Sequence, residues 1–138
     1  MHLEHANIVV KNIANTLTFY QAAMPHWTIR GKGQSEWYGK PRNWVHFGDD
    51  YQYLSFNEPG TGENRDLTSL TLGVAHFAYV VDDLSSLVER LNKAGFEVRV
   101  WGGNEPYAKS AYFIDPDGME VEFVQYFSDI PALRNQYK

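Results

Sequence analysis

The chain carries the same pattern of hydrophobic and polar positions twice. Residues 3–10 alternate with the period of a β-strand, and an amphipathic helix over about 13–24 follows. Residues 74–81 and a helix over 84–94 repeat this order. A histidine occupies the equivalent place in each strand, His5 and His76. Such repetition indicates two copies of one supersecondary unit.

Cap and turn residues delimit these elements. The predicted helix N-caps are Asn12 or Asn15 in the first copy and Asp82 or Asp83 in the second. Pro25 ends the first helix and Gly95 follows the second. The run from Asp115 to Gly118, Asp-Pro-Asp-Gly, predicts a type I turn that leads into the last strand.

Further strands complete a βαβββ order in each copy. They are predicted near 27–30, 44–47 and 51–57, and again over 96–101, 111–114 and 119–126. The polar loop 58–66, with one Pro and two Gly, predicts the module boundary. We therefore expect an α+β domain over 1–138 in which two βαβββ modules form a curled mixed sheet around a metal-bearing cavity. The expected parts are module one (about 1–60), a linker (about 58–70), module two (about 71–127) and a C-terminal tail (128–138).

The closing strand of the second copy places two carboxylates, Glu120 and Glu122, on one face, and the opposite face carries Met119, Val121 and Phe123. The apolar face is expected under the helices, which turns Glu122 towards the same cavity as His5 and His76. Two histidines and a carboxylate with open positions are ligands of non-haem iron oxygenases and of several catalytic zinc sites. The sequence therefore predicts one divalent metal ion per site, and these ligands do not distinguish Fe, Mn, Zn and Ni.

The first copy lacks the equivalent carboxylate. Matching the runs Leu-Ser-Phe and Val-Glu-Phe places Ser55 where the second copy has Glu122. Tyr112, Glu120 or water is the predicted proton-transferring group. The remaining predicted pocket residues, which would contact a small-molecule substrate, are Asn7, Tyr53, Ser55 and Ser110.

Composition narrows the class of partner. The formal charge of −5 argues against nucleic acid or an anionic membrane as a partner. The absence of Cys excludes disulfides and thiolate metal sites. The N-terminal residues lack the basic and apolar regions of a signal peptide, and we expect a cytoplasmic protein.

Several runs together resemble the vicinal oxygen chelate superfamily: Leu-Glu-His5, Thr-Phe-Tyr20, His76 with its Val-Val pair, and the segment from Asp115 to Glu122. This superfamily includes glyoxalase I, extradiol dioxygenases, fosfomycin-resistance transferases and bleomycin-resistance proteins. The resemblance implies the paired βαβββ fold and a divalent metal held by His5, His76 and Glu122. It also implies a substrate that chelates the metal through neighbouring oxygens, and a homodimer in which two chains contribute to each site.

The sequence differs from each named subfamily at particular pocket positions, and these differences decide the functional prediction. Glyoxalase I would have a carboxylate at Ser55, whereas Ser110 and Tyr112 match pocket positions of the fosfomycin enzymes. An additional pocket histidine of the extradiol dioxygenases is absent, and Asn104 and Glu105 stand in its region. We expect dioxygenase-like or transferase-like chemistry ahead of a glyoxalase I-like lyase of the lactoylglutathione type. The alternative is a metal-free binding protein, like the bleomycin-resistance members, whose aromatic side chains stack on a flat ligand: Trp37, Tyr38, Trp44 and Trp101.

Overall fold

A computed structural model describes residues 1–103 and 105–137, so Asn104 and Lys138, the last residue of the predicted tail, lie outside the described residues. The chain divides into two compact units, Met1–Glu63 and Asn64–Lys138. Among the described residues, the helices are all too short or too polar to cross a membrane.

Unit 1 contains one helix and a four-stranded mixed sheet in the order β1-β4-β3-β2. Its elements are β1 (His5–Val9), α1 (Ile13–Ala23), β2 (Thr28–Trp37), β3 (Lys40–Gly48) and β4 (Tyr53–Glu58). The first strand runs parallel to β4 and the other pairs are antiparallel. The helix contacts β4, and its buried side chains form a core with the sheet that includes Phe19, Tyr20, Phe47, Leu54 and Phe56.

Unit 2 repeats this arrangement with the sheet order β5-β8-β7-β6. Its elements are β5 (His76–Val80), α2 (Leu84–Lys93), β6 (Val100–Gly102), β7 (Ala108–Ile114), β8 (Glu120–Tyr126) and α3 (Pro131–Arg134). The second helix contacts β7 and β8 over a buried core that includes Leu84, Leu87, Leu91, Phe113, Val121 and Phe123. The predicted α+β fold of two βαβββ modules is confirmed.

The strand registers show which residues of the two units occupy equivalent positions. In unit 1, His5 pairs with Tyr53 and the residue two along the strand pairs with Ser55. In unit 2, His76 pairs with Glu120 and the residue two along pairs with Glu122. Ser55 and Glu122 therefore occupy equivalent sheet positions, as do Tyr53 and Glu120.

The predicted strand lengths in unit 1 were wrong, because β2 and β3 form a long hairpin that closes at Tyr38 (φ 51°) and Gly39 (φ 74°). Gly31 and Gly33 disfavour a strand locally. Trp44 explains why β2 nevertheless continues through them. Its ring lies against both glycines, and a Cβ on Gly33 would stand 3.0 Å from the indole. A cross-strand contact therefore overrides the local preference.

Two other predicted strands are shorter than expected. The strand expected over 51–57 begins at Tyr53, because the Asp49 carboxylate accepts hydrogen bonds from the backbone N–H groups of Tyr51 and Gln52 at 2.8 and 2.9 Å and holds them in a turn. The strand expected over 96–101 covers only Val100–Gly102.

Candidate functional site

Each sheet has one face towards its helix and one open face. The histidines lie on the open faces, since His5, Asn7 and Val9 alternate as the exposed positions of β1 and His76, Ala78 and Val80 do so in β5. The helix-covered faces are filled by the apolar cores, so chemistry-bearing side chains collect on the open faces. The two open faces carry different groups, and each is described by itself.

On the open face of unit 2, His76 lies between two glutamates. Its Nε2 is 3.3 Å from Glu122 Oε2 and its Nδ1 is 3.5 Å from Glu120 Oε1. Arg99 Nη1 contacts the other oxygen of Glu120. Glu120 is thus committed on both oxygens and orients the imidazole, while Nε2 and Glu122 face each other.

The spacing of Nε2 and the Glu122 oxygen fits two neighbouring ligands of one metal ion. Neighbouring donor atoms about 2.0–2.1 Å from an ion stand roughly 2.8–3.0 Å apart in octahedral geometry and roughly 3.3–3.4 Å apart in tetrahedral geometry. Among residues 1–103 and 105–137, no group of three or more His, Asp or Glu side chains converges closely enough to hold an ion. His76 and Glu122 therefore fit as a ligand pair that requires a third protein ligand from elsewhere.

Tyr112 completes the neighbourhood of this pair. It lies on β7 directly opposite Glu122, and its ring meets the His76 ring edge-on at a centroid distance of 5.4 Å. Burial, followed by the negative charge of Glu122, raises the pKa of the Tyr112 hydroxyl. This shift favours the protonated form of the hydroxyl.

A cavity of about 290 Å³ opens beside these residues. Its lining includes Ser110, Tyr112, Glu122 and Tyr126 from the sheet, together with Leu133 and Arg134 from α3. Arg134 stacks over the Tyr126 ring, 4.2 Å from its centroid. The predicted pocket residue Ser110 is 2% exposed and lines this cavity, while Lys109 next to it stacks instead on Trp101, at 4.8 Å.

On the open face of unit 1, four rings form a ladder. The centroid distances are 4.6 Å from His5 to Tyr53, 4.6 Å from Tyr53 to His46 and 4.9 Å from His46 to Trp44. Arg30 lies over the Tyr53 ring at 4.4 Å. Burial, followed by the charge of Arg30, lowers the pKa of His46, which favours the neutral form of this ring.

His5 is also oriented by a carboxylate. Its Nδ1 is 2.9 Å from Glu4 Oε1. In unit 1 the position equivalent to Glu120 is Tyr53, which has no carboxylate, and the carboxylate beside His5 belongs instead to the preceding residue in the chain. In both units, then, a carboxylate engages Nδ1 of the repeated histidine.

The other predicted pocket residues of unit 1 lie on the same face. Ser55 is 5% exposed, pairs with His46 across the strands and stands beside Asn7 in the register. The side-chain oxygen of Asn7 accepts a hydrogen bond from Asn57 Nδ2 at 2.5 Å, and Asn57 in turn accepts one from Arg42.

Sequence reasoning missed three oriented groups around these sites: Glu4, Arg99 and Arg134. Glu4 is adjacent to His5 in the chain, so its pairing had a local signal. Arg99 and Arg134 reach Glu120 and the cavity only through tertiary packing, and no local pattern indicates them.

The family model described as Glyoxalase/Bleomycin resistance protein/Dioxygenase superfamily matches residues 2–123. The chain belongs to this superfamily. A lactoylglutathione lyase from Neisseria meningitidis is 30% identical over 130 residues, which cover 91% of each protein. The glutathione transferase FosA from Serratia marcescens is 27% identical over 122 residues, which cover 87% of this chain and 77% of that protein.

Solved members of the superfamily share the fold. A variant of the fosfomycin resistance protein FosX from Listeria monocytogenes, complexed with Mn(II) and 1S,2S-dihydroxypropylphosphonic acid, superposes with a TM-score of 0.70 at 16% identity. The match covers 95% of each chain. The resemblance inferred from the sequence motifs is thereby confirmed at the level of family and fold.

Proposed function

We propose that this chain is a divalent-metal enzyme that acts on a small molecule through neighbouring oxygen atoms. His76 and Glu122 are two metal ligands in this proposal, and His5, of the same chain or of a second copy, is the third. The observation that supports it most is the pairing of each repeated histidine with a carboxylate at Nδ1, by Glu4 and Glu120. This second contact is the usual companion of a metal-ligating histidine, because it fixes the ring and leaves Nε2 for the ion.

The surrounding residues have distinct roles in this proposal. The ion, when bound, supplies Lewis-acid polarisation of a substrate oxygen. Tyr112 lies opposite Glu122 in the wall of the same cavity and contacts the substrate beside this carboxylate. Glu120, committed to His76 and Arg99, holds the ring in place and is not free to act as a general base. Ser110 contributes a hydroxyl to the wall of the same cavity.

The ligand count favours transferase-like chemistry over glyoxalase I-like chemistry. A glyoxalase I-like site would need a carboxylate at Ser55, where this chain has a buried hydroxyl. Three protein ligands leave more coordination positions for a chelating substrate and an incoming reactant. The relatives include both classes, a lactoylglutathione lyase and a glutathione transferase, and the residue at position 55 is the feature on which we rank the two chemistries. Dioxygenase-like chemistry uses the same three ligands and ranks next.

A second candidate function is supported by the ring ladder on the open face of unit 1. The stacked rings of His5, Tyr53 and His46, with the tilted Trp44 ring beside them, present a surface suited to sequestering a flat ligand without catalysis. Chelation separates the candidates, because ligand binding by a sequestering protein is indifferent to a chelator, whereas substrate binding through the metal is lost.

Metal content of the purified protein tests the leading proposal. We expect about one bound ion per chain after loading with Mn²⁺ or Zn²⁺, and loss of that ion in Glu122→Ala and in His76→Ala. Glu89→Ala is the matched control, because this carboxylate pairs with Lys93 on the exposed surface of α2. Absence of metal in the wild type under every loading condition, or equal loss in the control, refutes the metal site. Light scattering on the same samples tests the homodimer that we propose from the resemblance.

A further inference from the structure

A second cleft lies on unit 1, away from the proposed metal ligand His5. Its volume is about 250 Å³, and its lining includes Val9, Trp37, Tyr38, Lys40, Arg42 and Pro59. His5 pairs with Tyr53 at the start of β4, whereas Asn57 of the cleft lies four residues further along that strand. At the rise of a β-strand this separation is about 13 Å. The cleft is therefore a separate feature of the unit.

Arg42 is held in a fixed orientation at this cleft. Its Nε donates to Ser35 Oγ at 3.1 Å, and its Nη1 donates to Asn57 Oδ1 at 2.5 Å. The guanidinium carbon lies 4.7 Å from the centre of the Trp37 ring. Asn57 is itself 2% exposed and is anchored through its Nδ2 to Asn7 and to the Ile8 carbonyl. The side-chain entropy that binding would otherwise cost has thus already been lost in folding.

The cleft carries unbalanced positive charge. The ammonium of Lys40 has no hydrogen bond or ion pair in the described part of the chain, and Arg42 has donors beyond its two bonds. Glu58 also lines the cleft, but its two oxygens accept hydrogen bonds from Ile13 N and Asn43 Nδ2. Two cations therefore face one carboxylate whose oxygens are already engaged.

Aromatic rings form the wall beside these cations. The Trp37 and Tyr38 rings lie 5.5 Å apart at an angle of 32°, and Tyr38, at the tip of the hairpin, is 89% exposed. A planar ring stacks favourably on such a surface. A carboxylate accepts charge-assisted hydrogen bonds from the planar donors of Arg42 that Ser35 and Asn57 do not use.

We propose that this cleft is a binding site for a small flat anion, namely an aromatic ring system that carries a carboxylate. The ring packs against Trp37 and Tyr38, and the carboxylate meets Arg42 and Lys40. The volume of about 250 Å³ accommodates one or two fused rings. This site is distinct from the proposed metal centre and does not require it.

Isothermal titration of the full chain with 2-naphthoate tests this site. We expect Lys40→Gln to weaken binding about threefold, as for a partly exposed charge pair. Arg42→Lys, which keeps the charge but loses the planar donors that Ser35 and Asn57 hold in place, is expected to weaken binding about tenfold. Lys32→Gln is the matched control: it removes the same charge from the neighbouring strand β2, where Lys32 pairs with the buried Val45 of the helix-covered face. Its affinity is expected to equal that of the wild type.

Ligand and site controls make the outcome decisive. Neutral 2-naphthalenemethanol and non-aromatic cyclohexanecarboxylate are each expected to bind more weakly than 2-naphthoate, because each lacks one of the two required features. Glu122→Ala is expected to bind 2-naphthoate with wild-type affinity even when it has lost its metal. Absence of 2-naphthoate binding, equal weakening in Lys32→Gln and Lys40→Gln, or dependence on Glu122 would each overturn the proposal.

Discussion

Glu58 lies close in sequence to the candidate site and yet is expected to act only on stability. Its Oε2 accepts the backbone N–H of Ile13 at 2.5 Å, and its Oε1 accepts Asn43 Nδ2 at 3.1 Å. A hydrogen bond to a charged group contributes about 1.5–3 kcal/mol, and an unpaired N–H at a partly buried helix start retains its desolvation cost. Glu58→Ala should therefore lower the free energy of unfolding by about 2–3 kcal/mol.

The repeat provides an internal reference for this magnitude. At the equivalent place in unit 2, Gln125 Oε1 accepts the backbone N–H of Leu84 at 2.9 Å, so a neutral amide suffices to begin the helix. Glu58→Gln should accordingly keep the bond to Ile13, lose only its charge assistance, and lower the free energy of unfolding by about 1 kcal/mol.

Urea unfolding followed by circular dichroism measures both variants, and metal affinity is measured on the same samples. Glu63→Ala is the matched control, because Glu63 is exposed and pairs only at the surface with Lys11. We expect the unfolding midpoint to fall in the order wild type, Gln, Ala, with Glu63→Ala near wild type and metal affinity constant throughout. A Glu58→Ala protein as stable as the wild type would refute the role of Glu58 at the start of α1. Altered metal affinity would contradict the placement of Glu58 away from the metal ligands.

Three further predictions follow from the same contacts. Gly33→Ala should destabilise the fold by about 1–3 kcal/mol, because its Cβ would stand 3.0 Å from Trp44. Gly31→Ala should be tolerated, because its Cβ would stand 3.7 Å from the same ring. Urea unfolding of the two variants measures the difference, and equal stabilities would contradict the prediction. Glu120→Gln should weaken metal affinity about tenfold or more, because the His76 ring is then held less firmly. Titration with Zn²⁺ measures this affinity, and an unchanged value would show that Glu120 does not position the histidine. Asp83 accepts hydrogen bonds at the start of α2 that lower its pKa, so its stabilising effect is complete above the ordinary aspartate pKa of about 4 and is lost as pH falls through the lower folded value. Asp83→Asn should remove that part of the acid dependence in melts between pH 6 and pH 2, and an unchanged slope would exclude it.

The fold was predictable where short-range chemistry determines it. Asn12 and Asp83 cap the two helices through their own side chains, and Gly118 closes the predicted turn with a bond to the Asp115 carbonyl. The long β2–β3 hairpin was not predictable, because its glycines are tolerated only under the Trp44 ring. That contact joins residues that pair across two strands and leaves no periodic trace in the sequence.

The sheet positions of the candidate site residues were predictable in the same way, from local pattern. Strand alternation and the repeat were enough to place His76 and Glu122 on one face and to align Ser55 with Glu122. The partners that tune these groups were not, because Arg99 and Arg134 arrive from other elements. Which side chain a carboxylate or a tyrosine meets depends on packing that a single strand pattern does not encode.

The aligned registers of the two sheets show where the chemistry of the two halves differs. At the positions of Ser55 and Glu122, one half retains a hydroxyl and the other a carboxylate on otherwise matching frameworks. A chain built from two copies of unit 1 would offer two histidines and no acid, and one built from two copies of unit 2 would offer two histidines and two acids. The halves differ in the same sense at Tyr53 and Glu120, so two neighbouring positions on each open face set how much negative charge that face carries.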